Sequence, residues 1–318
     1  MLTPIPDSEK FVKESFKEHY KELLGNDYDE FMKYSLSFIR KSVRVNTLKM
    51  PVSKLKKRLE SKWELEQVPW CKEGFWLQHK HEKRFDIGNL LEHQLGYIYV
   101  QDAASMIPPV VLDPKPGELV LDMCAAPGSK TTQMAAYMKN KGIIVANDNQ
   151  TDRIKALAIN LERCGVTNAV ITQMEGNSFR HKNLEFDKVL VDAPCSGTGT
   201  IRRSLKVLNM WGPHLVEKMA GIQKHLLETG FKVLKPNGIL VYSTCTLEPA
   251  ENEAVVSFLL DKYENAKLEK INLKIKRSLP VLKHGDLEIN PAVKDCLRIH
   301  PQDNDSEGFF VAKIRKTP

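Results

Sequence analysis

A parallel sheet covered by helices on both faces, preceded by a smaller α/β unit, is the fold class this sequence predicts. Two observations carry it. From about Pro116 onward, short apolar runs alternate with longer amphipathic stretches in regular order, the signature of parallel β/α units. The residues before that point read as a basic α/β unit with a different rhythm, and 318 residues suffice for one large and one smaller domain.

In chain order, Phe11, Phe16, Tyr20, Leu23 and Leu24 stand at helical spacing. Residues 8–24 are therefore expected to be helical, with Ser8 as N-cap and Gly25 just past the end. A second short helix is expected over 29–38. Residues 42–46 alternate and read as a strand, 52–59 as a basic helix, and 63–68 and 74–77 as strands. Prolines at 108, 109, 114 and 116 punctuate the join, giving an N-terminal region of residues 1–110 and a larger domain of residues 111–318. In the latter, strands are expected over 119–123, 143–146, 169–173, 188–191 and 239–242. Helices are expected over 130–138, 152–164, 216–234 and 250–260, and 308–314 reads as a late strand closing the sheet.

Composition sets limits. Hydrophobic content of 42% and charged content of 27% are those of an ordinary soluble globular protein. No apolar run approaches the roughly 18 residues of a membrane span, and the N-terminus lacks a basic-then-apolar signal pattern. A cytoplasmic monomer is expected. The six cysteines are too far apart for zinc-knuckle or thioredoxin spacing, so no metal is expected and free thiols are favoured over disulfides. The net charge is +7, and nine Lys/Arg against one acid fall between Arg40 and Lys62. Such clustering is either a solvated helix face or the footprint of a polyanion.

Four motifs carry chemistry. Asp122-Met123-Cys124-Ala125-Ala126-Pro127-Gly128-Ser129-Lys130 follows a strand and opens a helix. Its small residues let backbone approach a ligand closely, yet it matches neither the dinucleotide fingerprint nor the P-loop. Asp148 ends the next strand, about 20 residues on, where an acid can accept both hydroxyls of a ribose; capping the following helix is the alternative. Cys195, in Asp192-Ala193-Pro194-Cys195-Ser196-Gly197, and Cys245, in Ser243-Thr244-Cys245-Thr246, each follow a strand-like run. That places both at the carboxyl rim of the sheet, where open α/β folds bind ligands. A thiolate is a strong nucleophile, whereas a lone free cysteine is more often a buried small hydrophobe.

Together these motifs, with Ser42-Val43-Arg44-Val45-Asn46-Thr47, Gln101-Asp102-Ala103-Ala104-Ser105 and Leu247-Glu248-Pro249-Ala250-Glu251-Asn252-Glu253, resemble the Nop/Sun (Fmu-type) RNA cytosine-5 methyltransferases over roughly residues 42–313. The resemblance implies a Rossmann-like methyltransferase domain with a mostly parallel seven-stranded sheet, a smaller N-terminal RNA-binding domain, and S-adenosyl-L-methionine as methyl donor. It places Cys124, Ala125, Ala126, Pro127, Gly128, Ser129 and Lys130 around the cofactor, with Asp148 on its ribose. Arg153 and Asn177 match further cofactor positions, Asn177 standing where the family commonly has Asp. Asp192 falls near both the donor methyl and the target base.

Carbon 5 of cytosine does not attack a methyl group unaided. A thiolate adding to carbon 6 makes the ring an enamine, and carbon 5 then attacks the sulfonium methyl. Loss of the carbon-5 proton and of the thiolate restores the ring. The resemblance implies Cys245 as nucleophile, Cys195 as the group that assists release, Asp192 on ring nitrogen 3 or the amine, and Lys130 positioning Asp192. DNA enzymes of this chemistry use the Pro-Cys cysteine, so the Thr-Cys motif points to RNA. The base must leave its stack. Arg202, Arg203, Lys206, Trp211 and His214 are expected in a loop, where cations for phosphate and an aromatic for stacking suit unpaired RNA; packing of Trp211 on the next helix is the alternative. Transfer RNA is the expected substrate of so short a chain and ribosomal RNA the alternative, with a non-catalytic RNA-binding factor as the rival class. Amino-methylation is disfavoured because Asp192-Ala193-Pro194-Cys195 stands where that chemistry shows Asn/Asp-Pro-Pro-Tyr/Phe.

Overall fold

The computed structural model of the protein describes residues 2–81, 86–285 and 287–318. A 3-10 turn, Ser8–Phe11, precedes helices α1 (Glu14–Leu24) and α2 (Tyr28–Ser35). The expected single helix from residue 8 is thus broken. Val12 is extended, no side chain caps the turn, and α1 begins after Lys13 rather than at a Ser8 cap. Next come β1 (Ser42–Val45), α3 (Val52–Leu59), β2 (Trp63–Gln67), β3 (Gly74–His79), the single turn α4 (Leu91–Gln94) and β4 (Ile98–Val100). The four strands form an antiparallel sheet in the order β2-β3-β1-β4. β4 escapes sequence reading because three residues are too few for an alternation to stand out.

Pro108 and Pro109 do not break the chain but open α5 (Ile107–Leu112), since proline is tolerated in a helix's first turn. The β/α rhythm follows as β5 (Leu119–Asp122), α6 (Ser129–Tyr137), β6 (Ile143–Asn147), α7 (Thr151–Cys164), β7 (Ala169–Thr172), β8 (Phe186–Asp192), α8 (Lys206–Met210), α9 (Pro213–Lys232), β9 (Leu234–Thr244) and α10 (Glu253–Lys262). Then come β10 (Ala266–Leu268), a hairpin of β11 (Lys283–His284) and β12 (Leu287–Glu288), β13 (Leu297–Ile299), α11 (Pro301–Asn304) and β14 (Phe309–Lys316).

Among the described residues the central sheet has eight strands rather than seven. Its path is β10-β14-β9-β8-β5-β6-β7, with β13 paired to β14. The five strands from β9 to β7 are parallel, and β14, β10 and β13 add antiparallel pairings. Alternate side chains bury against opposite layers. Leu121, Val189, Val191 and Leu240 pack with Leu227 and Phe231 of α9, while Val120, Leu190, Ile239 and Val241 pack with Leu112 of α5 and Met134 of α6. Both faces being covered, the strands read as near-continuous apolar runs. Among the described residues, no helix is long and apolar enough to cross a membrane.

α1 and α2 pack on Leu208, Trp211, Val216 and Leu247. Trp211 is therefore not a base-stacking platform: only 4% of it is exposed, and its indole nitrogen donates to Glu248 Oε1 at 2.8 Å. Tyr20 donates to the same oxygen at 2.8 Å, and His19 Nε2 lies 2.9 Å from Glu248 Oε2. The segment after the Pro-Cys motif is likewise ordered, with Lys206 starting α8 and His214 in the first turn of α9. Trp211→Ala is expected to cost about 3–5 kcal/mol of stability, read as a lower denaturation midpoint, with RNA affinity of the folded fraction unchanged. A base platform would give the reverse pattern.

Candidate active site

Three strand ends converge on the site. β5 ends at Asp122, β8 at Asp192, and β9 at Thr244, one residue before Cys245. β5 lies between β8 and β6, so the order of the sheet reverses there and a crevice opens at the carboxyl ends. A cavity of about 440 Å³ occupies it. Of the sequence-predicted residues, 124–127, Ser129, Lys130, Arg153, Asp192 and Cys245 line this cavity.

The loop from Asp122 to α6 is shaped by its small residues. Gly128 stands at the N-cap of α6 with φ +104°, a conformation that suits glycine, and a Cβ there would meet Leu157 Cδ1 at 3.0 Å. Asp148 is buried outside the cavity lining. Its Oδ2 accepts from the Ala126 N–H at 3.3 Å and pairs with Arg153 Nη1 at 3.2 Å, and its Oδ1 accepts from the Gln150 N–H at 3.1 Å. Arg153 Nη2 donates to the Ala126 carbonyl at 2.5 Å. Asp148 thus braces the loop and does not cap α7, whose N-cap position is Gln150. Asn177 lies in the turn Gly176–His181, away from the lining, and accepts from Thr229 Oγ1 at 3.3 Å. One oxygen in the cavity wall is unanswered: Asp122 Oδ1 is buried without a partner, while Oδ2 accepts from Thr131 at 2.7 Å. Burial pushes this carboxyl up to about 7.

Lys130 donates to Asp192 Oδ2 at 2.6 Å and to Ser105 Oγ at 3.2 Å. Burial works against its charge, but the Asp192 carboxylate outweighs that and leaves the ammonium above its ordinary range. Ser243 donates to Asp192 Oδ1 at 2.7 Å, which fixes the carboxylate from both sides. The two cysteines meet, Cys195 Sγ lying 3.4 Å from Cys245 Sγ. Their acidities diverge. The Cys195 hydrogen bond holds the Cys245 thiol below its usual value despite burial, with Lys130 adding to the effect. Cys195 is driven well above by the same bond and by burial. The two shifts favour Cys195 as the donor and Cys245 as the acceptor, which makes Cys245 the better sulfur nucleophile of the two.

The Pro249-Ala250-Glu251-Asn252-Glu253 string has a role that the sequence alone does not assign. Glu251 accepts from the Ser196 N–H at 3.0 Å and from Gln223 Nε2 at 2.8 Å, and also from the Ser196 hydroxyl. Asn252 Nδ2 donates to the Thr246 carbonyl at 2.9 Å, and Asn252 Oδ1 accepts from Thr244 Oγ1 at 2.5 Å. The residues beside both cysteines are thereby held by one short segment. Asp102, Glu307 and Phe309, also unassigned from sequence, line the cavity too.

The basic stretch divides. Arg44 is buried, donating to Gln101 Oε1 at 2.8 Å and Thr132 Oγ1 at 2.7 Å, and so ties the small sheet to α6. Lys54, Lys57, Arg58 and Lys62 are exposed on and after α3. Arg202 is no phosphate ligand: it is buried, bonded to the carbonyls of Ser37, Phe38 and Ser306 and paired with Asp305 at 2.7 Å. Arg203 keeps 75% of its side chain exposed at the cavity mouth. Among the described residues, no cluster of His, Cys, Asp and Glu has the makings of a metal site.

Residues 109–315 match the family model described as 16S rRNA methyltransferase RsmB/F, and residues 12–103 match the N-terminal domain of 16S rRNA methyltransferase RsmF. A tRNA (cytosine(49)-C(5))-methyltransferase of Pyrococcus abyssi is 49% identical over 312 residues, covering 96% of this chain and 98% of that protein. The ribosomal RNA small subunit methyltransferase F of Shewanella amazonensis is 45% identical over 294 residues, covering 91% of this chain but only 61% of its own length. The chain thus spans about three fifths of that relative. The crystal structure of a methyltransferase homolog protein from Pyrococcus horikoshii superposes with a TM-score of 0.86 at 38% identity, covering 98% of this chain and 99% of that one.

Proposed function

The chain belongs to the RsmB/F methyltransferase family, and on that premise we propose that it transfers a methyl group from S-adenosylmethionine to carbon 5 of cytosine in transfer RNA. One observation carries the reading: an acidified thiol, Cys245, 3.4 Å from a second thiol and beside the Lys130–Asp192 pair. Methyl transfer to nitrogen has no use for such a thiolate, whereas carbon 5 of cytosine needs one.

S-adenosylmethionine supplies an electrophilic methyl group on a sulfonium. The residues fit such a ligand. The 124–130 loop offers backbone without bulky side chains, Asp122 Oδ1 is buried without a donor, and Arg153 lines the same wall. Asp148, braced against Ala126, is the acid for the ribose, and Asn177 the further cofactor contact the resemblance implies. The Cys245 thiolate bonds to carbon 6 of the base. Asp192, held by Lys130 and Ser243, accepts from the 4-amino group. Cys195 assists expulsion of Cys245 after methylation.

Residues 1–110 serve as the RNA-binding region and residues 111–318 as the methyltransferase domain of a cytoplasmic monomer. The exposed cations on and after α3 meet the RNA backbone. Transfer RNA is favoured because the transfer-RNA relative is the more similar, 49% identical over 312 residues against 45% over 294 for the ribosomal-RNA relative. The test is nucleoside mass spectrometry of an unmodified transfer-RNA transcript incubated with the protein and S-adenosylmethionine. 5-Methylcytidine is expected. Its appearance only on ribosomal RNA would replace the substrate, and its absence from both would favour a binding factor.

A further inference from the structure

We propose that Glu307 is a further catalytic residue, its carboxyl group held beside Cys245 to donate a hydrogen bond to ring nitrogen 3 of the target cytosine; this rests on the reaction proposed above. Glu307 immediately precedes Gly308 and β14, and β14 runs antiparallel to β9 with Phe310 opposite Thr244. The residues just before β14 therefore lie beside those just after β9, which include Cys245. Backbone bonds fix the juxtaposition: the Gly308 N–H donates to the Gly199 carbonyl at 2.9 Å, and the Gly199 N–H donates to the Cys245 carbonyl at 3.0 Å. A Cβ on Gly199 would meet the Gly308 carbonyl oxygen at 2.2 Å, so only glycine permits this approach.

Glu307 is 4% exposed, yet lines the cavity with Cys245, Lys130 and Asp192. Among the described residues its side chain makes no hydrogen bond, and its one ion-pair partner is the largely exposed Arg203 at 3.8 Å. A buried ionised carboxylate so weakly answered is costly. Asp102 stands next to it, with Oδ1 accepting from the Glu307 N–H at 3.4 Å and the Ala104 N–H at 2.8 Å. Burial and the neighbouring Asp102 push the Glu307 carboxyl well above the usual carboxylate range. The neutral acid is therefore favoured, and among the described residues its side chain has no hydrogen-bond acceptor.

The base needs that proton. The Watson–Crick edge of cytosine presents a donor at the 4-amino group and an acceptor at nitrogen 3. Asp192, paired with the Lys130 ammonium, accepts only and suits the amine, leaving nitrogen 3 without a donor. When the Cys245 thiolate bonds to carbon 6, the carbon 5–carbon 6 π pair moves toward carbon 4, and the carbon 4–nitrogen 3 π pair moves onto nitrogen 3. The Glu307 hydroxyl donates a hydrogen bond there and stabilises the negative charge that gathers on nitrogen 3, its proton staying on the carboxyl group. As carbon 5 takes the methyl group, the pair on nitrogen 3 re-forms the carbon 4–nitrogen 3 double bond. Loss of the carbon-5 proton and of the thiolate then completes the cycle.

The experiment compares wild type, Glu307→Ala and Glu307→Gln in 5-methylcytidine formation on transfer RNA and on the same RNA carrying 3-deazacytidine at the target. S-adenosylhomocysteine affinity serves as the control for an intact site. Glu307→Ala is expected to lower kcat about 10²–10³-fold, with KM and S-adenosylhomocysteine affinity within about twofold. Glu307→Gln, which keeps an N–H donor, should stay within about tenfold of wild type. On 3-deazacytidine, which lacks the nitrogen, Glu307→Ala should cost little beyond the wild-type loss. A wild-type kcat in Glu307→Ala, a Glu307→Gln as slow as Glu307→Ala, or an equal penalty on both RNAs would each overturn the assignment. If Glu307→Ala no longer binds S-adenosylhomocysteine, Glu307→Gln on the two RNAs decides alone, since it must be nearly active on the natural base. Wild type inactive on transfer and ribosomal RNA alike would overturn the underlying reaction as well, a result distinct from a defect confined to the variants.

Discussion

Cys245→Ala is expected to abolish 5-methylcytidine formation, with a fall in turnover of about 10⁴-fold or more, as removal of a covalent nucleophile commonly gives. No neighbour can replace it. Cys195 loses its bond to Cys245 in this variant, but its burial still raises the thiol. Cys124 is pushed up by burial and by the surrounding carboxylates. Folding should survive, because the change removes one small side chain while the Thr244, Thr246, Glu251 and Asn252 bonds remain. The measurement is single-turnover methylation beside the binding of S-adenosylhomocysteine and RNA. Lost turnover with intact binding places Cys245 at the bond-forming step. Residual turnover within tenfold of wild type would remove covalent catalysis by this residue.

Much of this site can be read in the sequence, and the rest cannot for identifiable reasons. Asp122, Asp192 and Cys245 were legible because each follows an apolar run that can only be a buried strand, and the ends of parallel strands share one rim. The five parallel strands were legible for the same reason. β4, β10 and β13 have three residues each, too few to carry a period, and their pairing is decided by tertiary contact. Arg44, Arg202 and Trp211 misled because composition records what a side chain could bind, not what already surrounds it. Each is consumed within the fold, Arg202 by three backbone carbonyls and Trp211 by Glu248. Glu307 and Asp102 stayed hidden because they lie 205 positions apart, and neither alone signals chemistry. Only the β9–β14 pairing brings Glu307 to Cys245, and Asp102 meets it there.

Cys195→Ala separates the two thiols, since it should leave bond formation possible while stalling release. Two consequences are expected together. The adduct between Cys245 and RNA accumulates, visible as a protein–RNA band that survives denaturing electrophoresis, because the group that assists expulsion of the thiolate is gone. The pH dependence of adduct formation also moves. In wild type the Cys195 hydrogen bond is the leading cause that lowers the Cys245 thiol. Its removal lets that thiol rise toward, or through burial above, the ordinary value. The thiolate fraction at neutral pH falls, so the rate of adduct formation should climb over a more alkaline range than in wild type. A structural cysteine would do neither: its loss would lower stability without trapping RNA or shifting the profile. An adduct that builds up with an unshifted profile would keep the release role but assign the acidity of Cys245 to Lys130. A shifted profile without accumulation would make Cys195 an activator of the nucleophile alone.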